Sequence, residues 1–577
     1  MTKINQRTGH RVSGSRSKFH LRGVLERARI RRAARGAVPK GFVDQPEPRS
    51  IGSFARGRQL LAGNIQFTGH LVELKGKTPW RVIPPSQGFA RDLHGFLWLD
   101  DLAAIGTPQA RAMAQVWVLD WIKRYRNGHG PGWDSDIAAR RLIRWIHHGL
   151  FLVSNLPKPD SDQFFRCLAQ HTRNSARFLA KPPPGLPGFE ASVGTVYASL
   201  TVQGLRSHTK PALAALCRLC STEIDPSGAI ASRNPEELLD IFTLLNWAQM
   251  ALEHASVPVP SEVSQAIKRI APTLRVLRHS NGHLTRFHGG GRGAEGRLDE
   301  ALAQSGIRAT APKESAMGYI RVTSGTTTLM VDAAAPAFGG PSRAAHASTA
   351  GFELTSGKTP LIVSCGSGAS FGEEWRLAGR ATPSHSTLGL DGMSSSRFAP
   401  GTRGAFDALT DVPTVTDAAR IAAIDGTRVR LRHDGYGASH GLAHGRTLDL
   451  TIKGQGLAGE DTLLAETPED KVRLRRKIDQ DGVTVSIRFH LHPDVDAHLD
   501  LNGKAVSLAL PDASVWVFRH DGFAHLSLEP GVYLEQGRVM PRTADQIVLS
   551  YQVTDTKTQV RWTLAKLQDA RAGTDET

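Results

Sequence analysis

The period of the apolar residues changes once along this chain, and that change limits the fold more than any other feature. From about residue 86 to 280 apolar positions recur at three- and four-residue steps, the pattern of helices with one buried face. After Asp134, a residue type that favours helix N-caps, the residues Ala138, Leu142, Trp145, Ile146 and Leu150 form one stripe. After Asn234-Pro235, with proline at the first helical position, Leu238, Phe242, Leu245, Ala248 and Leu252 form another. Further helical runs, parted by PPPGLPG and SHTKP, make six or more helices in succession and therefore an all-α unit. Periodicity alone leaves bundle, solenoid and toroid open.

Beyond Ala271-Pro272 the helix signals stop. RHSNGHLTRFHGGGRG, residues 278–293, is rich in Gly and His, and short runs with β-branched residues follow it. KVRLRRKIDQDGVTVSIRFHLHP reads as a hairpin turning at Asp481-Gly482. After that turn Val483, Val485, Ile487, Phe489 and Leu491 alternate with polar residues, giving one core face and one solvated face that carries His490 and His492. Many such strands predict an antiparallel β-sandwich. The expected division is a basic, flexible extension over 1–48, a helical domain over 49–280 and a junction over 281–316. The β-sandwich then covers 317–568, and a disordered tail 569–577.

The net charge of +17 is unevenly placed, since residues 1–40 hold twelve Lys and Arg against the single acid Glu26. Residues 17–38 form a basic amphipathic candidate helix, suited to an anionic membrane surface or to a poorly ordered arm. The remainder carries only +6, so bulk charge does not argue for a polyanion cleft. No base-stacking aromatic array or helix-turn-helix accompanies the tail, which ranks nucleic-acid binding last. No run approaches 18 apolar residues, and no apolar h-region follows the basic start, which argues against a secretory signal. Cys217 and Cys220 have C-x-x-C spacing but no second ligand pair, so structural thiols are expected. HGGGRG lacks the ending of a P-loop.

Residues 341–390 set His346 and His385 beside three short β-type runs, Gly351–Leu354, Leu361–Val363 and Thr387–Leu390. Neighbouring strands usually pair, so the two imidazoles are candidates for one proton-transfer or metal site. Here H-A-x-x-x-x-F-E-L, V-x-C-G and R-x-T-x-x-H-S-T resemble the C-terminal domain of the heparinase II/III polysaccharide lyases. LHGFLWLDDLAAIG, WDSDIAARRLIRWIHH and SRNPEELLDIFTLL resemble that family's helical half.

The resemblance implies an incomplete (α/α) toroid followed by an antiparallel β-sandwich. It also implies β-elimination on an acidic, uronate-containing polysaccharide in the cell envelope or periplasm, with a cytoplasmic position as the alternative given the lack of a visible export signal. That chemistry needs a base, a neutraliser for the uronate carboxylate and an acid for the leaving oxygen. Carried over by position, His346 and His385 are the proton-transfer pair or the ligands of one divalent metal such as zinc. The metal's Asp is replaced by Ser364, beside Cys365. Where the family has its catalytic Tyr this chain has Glu237, either a base or an ordinary first-turn acid. Tyr197 is a second candidate phenol, or a core residue. Arg233, Asn234, Arg343 and Arg380 are the candidate substrate-binding groups. The missing Tyr and N-H pair favour an alternative, a glycan-binding envelope protein of the same fold without lyase chemistry.

Overall fold

The computed structural model describes residues 25–44, 47–50, 52–291, 295–308, 314–398 and 408–567. Helices fill the chain from Phe54–Leu61 to Arg297–Gln304, and strands dominate from Ser315–Ala316 to Lys557–Lys566. The helical half is a ring of paired helices around a core containing Trp98, Trp121 and Trp145, all fully buried. The predicted stripes hold except at Leu150. Leu238, Phe242, Leu245, Ala248 and Leu252 are fully buried, while Leu150 falls in a separate short helix, Gly149–Val153. Asp134 stands at the N-cap of Ser135–His147 but makes no side-chain cap; its carboxylate turns toward Arg91. The helix Ser261–Val276 runs through Pro272, past the expected stop.

The β half is two antiparallel sheets of eight and nine strands packed face to face, with Phe352 of one stacked at 5.7 Å on Trp562 of the other. Arg446 crosses between them. It binds Asp461 on its own sheet and donates to the carbonyls of Ala350 and Ser386 opposite. Phe352–Ser356 and Thr359–Val363 pair as expected, but Leu388–Leu390 pairs with Thr484–Leu491 instead.

Several expectations are corrected. Asp481-Gly482 is not a hairpin turn, because Pro468–Asp481 is a helix ending at Gly482. Thr467 and Asp470 form a capping box, Pro468 sits in the first turn, and Lys477 pairs with Asp481, so local signals outweigh the turn dipeptide. His490 is buried, not solvated; its Nε2 lies 2.8 Å from the Pro383 carbonyl. The junction contains the helix Arg297–Gln304.

Residues 1–24 and 568–577 lie outside the described residues, and with them part of the candidate basic helix and the candidate tail. Residues 25–33 are helical and docked. Ile30 is buried, Gln170 donates to its carbonyl, and Arg173 donates to the carbonyls of Ala33 and Ala37. Tertiary hydrogen bonds thus fix the part of the basic segment nearest the ring.

Candidate functional site

Two buried polar regions stand out, one where the halves meet and one inside the helical ring. At the junction the chain turns sharply at His288 and Gly289, which have φ of 52° and 89°. A Cβ on Gly289 would lie 2.9 Å from that of Ala344, so only glycine fits there. The turn lets the Gly289 N–H donate to His346 Nε2 at 2.9 Å, and the His346 N–H donate to His288 Nδ1 at 3.0 Å. These bonds put the ring protons on His346 Nδ1 and His288 Nε2. His288 Nε2 lies 3.1 Å from Asp332 Oδ2, which also accepts from the Ser348 hydroxyl at 2.6 Å. Ring centroids of His346 and His385 are 5.0 Å apart.

The sequence therefore brings its two key imidazoles together, but not onto a groove. His288, His346 and His385 are all fully buried. Burial holds His346 well below the ordinary imidazole range and, helped by nearby His490, brings His385 down to about 3. Neutral, sealed rings are poorly placed to move a proton on a polymer.

A divalent ion does not fit the residues present. His346 Nδ1 and His385 Nε2 lack partners, but Ser364 supplies only a hydroxyl, 3.2 Å from His385 Nδ1. Asp332 is committed to Arg233 and Ser348. Among the described residues no three His, Cys, Asp or Glu are arranged to hold a metal. Cys365 is buried beside His490, and burial pushes its thiol up to about 12, far from the thiolate a metal needs.

Three of the four expected substrate groups around this junction are structural. All five N–H groups of Arg233 are taken, by the carbonyls of Met317, Gly318, Ala334 and Ala335 and by Asp332, so none is left for a uronate. Arg380 is buried and braces the loop before His346 through the carbonyls of Ala345 and Ser342. Asn234 caps its helix, accepting from the N–H groups of Glu236 and Glu237. Glu237 is no free base: it accepts from Ser232 at 2.6 Å and from the Leu186 N–H at 3.3 Å. Tyr197 is in the helical core, its hydroxyl donating to the Trp247 carbonyl at 2.9 Å, and burial raises its pKa. Arg343 is exposed. Glu353, from the F-E-L motif, accepts from His279, Thr285 and backbone N–H groups of both halves, which makes it a clamp.

The second region is a cavity of about 360 Å³ inside the ring. It is lined from the helices Leu97–Ile105, Ser135–His147, Leu186–Thr201, Pro235–His254 and Arg297–Gln304, and Arg49 and Ser50 reach in from the segment before the ring. Five arginines, Arg49, Arg56, Arg140, Arg144 and Arg297, face five carboxylates, Asp100, Asp101, Glu190, Asp240 and Glu300. Arg140 pairs with Glu190 at 2.6 Å, Arg144 with Asp100 at 2.9 Å, and Arg297 with Asp240. Burial lifts Glu190 to about 7 against the pull of Arg140, and Asp101 to about 6. Glu190 Oε2, both ring nitrogens of His147 and the Trp247 indole N–H are buried without partners. A pocket of this size with convergent polar groups and displaced pKa values is the general expectation for a ligand site. Sequence reasoning missed it, although single carboxylates inside apolar helices, Glu190 in GFEASVGTVY and Asp240 in LLDIFTLL, were a usable signal.

This arrangement of ring and sandwich has known counterparts. Residues 308–563 match the family model described as heparinase II/III-like, C-terminal. The C-terminal half of the chain is heparinase II/III-like. A solved heparinase III is similar in fold, with a TM-score of 0.71 at 12% identity, over 96% of this chain and 91% of that one. A mutant heparan sulfate lyase HepC from Pedobacter heparinus superposes with a TM-score of 0.56 at 13% identity, over 96% and 90%. Similarity also extends to the FtsZ-localized protein C of Caulobacter vibrioides, 29% identical over 547 residues, covering 92% of this chain and 91% of the relative. The chain is thus similar in fold to solved heparinase III and heparan sulfate lyase, and in sequence to a protein named as FtsZ-localized.

Proposed function

We propose that this heparinase-like protein recognises a glycan at the bacterial division site without cleaving it. The observation that carries the reading is the fate of the proton-transfer candidates. His346 and His385 are sealed neutral, Tyr197 is bonded into the core, and Glu237 braces a loop. The placement at the division site is carried from the FtsZ-localized relative. The helical cavity is the glycan's seat. The exposed Arg29, Arg31, Arg32 and Arg35, on and just after the docked segment, suit contact with an anionic membrane at the same location.

The test is an incubation of the full chain with acidic and neutral glycans while far-ultraviolet absorbance of unsaturated product is followed, alongside calorimetric binding. Binding without product supports the reading. Turnover lost in Glu190→Gln but kept in His346→Ala would replace it with a second reading, elimination on a uronate polymer with Glu190 as base. That alternative is favoured by a carboxyl held near neutrality beside an arginine. A fluorescent fusion spread evenly through dividing cells would remove the division-site assignment. Salt-independent flotation with anionic vesicles, or none, would remove the membrane contact.

A further inference from the structure

The ring cavity can be asked which sugar chemistry it prefers. Three of its five arginines already have cavity anions: Arg140 holds Glu190, Arg144 holds Asp100, and Arg297 holds Asp240. At these three an incoming uronate would have to break a pair; Arg49 is held by Glu47, and Arg56 stands at the exposed edge. The acid side is not closed in the same way. Glu190 has one oxygen on Arg140 and the other, Oε2, buried and unpartnered. Beside the cavity His147 and Trp247 stand edge to face with centroids 4.8 Å apart, and the indole N–H is unpartnered too. An unpaired carboxylate oxygen with aromatic rings nearby is a cation-accepting arrangement.

From this geometry we infer that the cavity takes a saccharide carrying a primary amine, whose ammonium binds Glu190 Oε2 while its ring packs on Trp247 and His147. The inference rests on the glycan-recognition reading and sharpens it, and it points away from uronates. Its volume of about 360 Å³ falls within the range of small-molecule sites, about 300–1,000 Å³. The displaced Glu190 is in accord, since a carboxyl kept partly protonated by burial gains most from a nearby cation.

The experiment titrates the full chain with a glucosamine tetramer, its fully N-acetylated form and a galacturonate oligomer. The amine form should bind at least about tenfold more tightly than the acetylated form. Glu190→Gln should erase that difference. Trp247→Phe, which keeps a smaller aromatic ring but deletes the indole N–H, should weaken both and serves if Glu190→Gln fails to fold. Equal affinity for the amine and acetylated tetramers, or tighter binding of galacturonate, overturns the inference and leaves glycan recognition standing. No binding of any oligomer overturns both.

Discussion

At the junction every N–H of Arg233 ends on a carbonyl or on Asp332, whereas in the ring cavity Glu190 keeps one oxygen, and His147 both nitrogens, without partners. Both regions draw on residues that carry the family resemblance, the junction on Arg233, His346 and His385 and the cavity on Asp100, Arg140, Arg144, His147 and Asp240, whereas Glu190 lies outside the resembling motifs. Buried polar groups that are fully bonded hold structure; those left open are high in energy until something binds. The likeness in sequence therefore covers both the locked junction and the more open cavity, and bonding rather than likeness separates them.

The contrast is broken most directly at Arg233. Arg233→Ala strands Asp332 and four backbone carbonyls, and should cost about 3–5 kcal/mol. Urea titration would show this as an earlier transition or as separate unfolding of the halves. Wild-type stability in this variant would mean that the guanidinium does not join them.

Next in size is a gain at the same junction. Ser364→Asp would restore the carboxylate that the resemblance implies, beside two imidazoles with unpartnered nitrogens. Zinc at a hundredfold excess over its Kd should then stabilise the variant by about 2.7 kcal/mol and leave the wild type unmoved. Thermal melts with and without zinc read this out. A zinc shift in the wild type would show that the imidazoles suffice, and the junction would have to be counted as a metal centre.

The architecture was legible because it rests on periodicity, which burial enforces along whole helices and strands. The stripe from Leu238 to Leu252 and the alternation from Val485 to Phe489 both hold. The site was only half legible. His346 and His385 do meet, since the strands and loops bearing them are adjacent. Their sealing depends on His288, Gly289 and Arg233 arriving from the other half, a long-range packing fact that no local pattern carries. Glu237 was left open between a base and a first-turn acid for a similar reason: it stands in the first turn, and the Leu186 N–H claims it only once the helix starting at Leu186 has docked. The helix Pro468–Asp481 failed at short range, where a capping box outweighed a turn dipeptide.

The two regions also respond oppositely to pH. His385 titrates at about 3 when folded, against an ordinary 6.5, so between those values the unfolded chain binds more protons. The stability it contributes is complete above the unfolded value and is lost as pH falls toward 3. Glu236, beside the cavity acid Asp240, is raised from 4.5 to about 7, first by burial and then by Asp240. There the folded chain binds more protons, so stability is present below 4.5 and is lost as pH rises through 7. Glu236 Oε1 is buried without a partner and Oε2 accepts only a 3.3 Å bond from Gln536, so glutamine can replace it without breaking an ion pair. Glu236→Gln should match the wild type near pH 5 and exceed it at pH 8 by on the order of 1 kcal/mol. Urea transitions at the two values decide the matter. A difference that does not change with pH would mean that Glu236 is ionised in both states, and that the carboxylates around the cavity are better solvated than their burial implies.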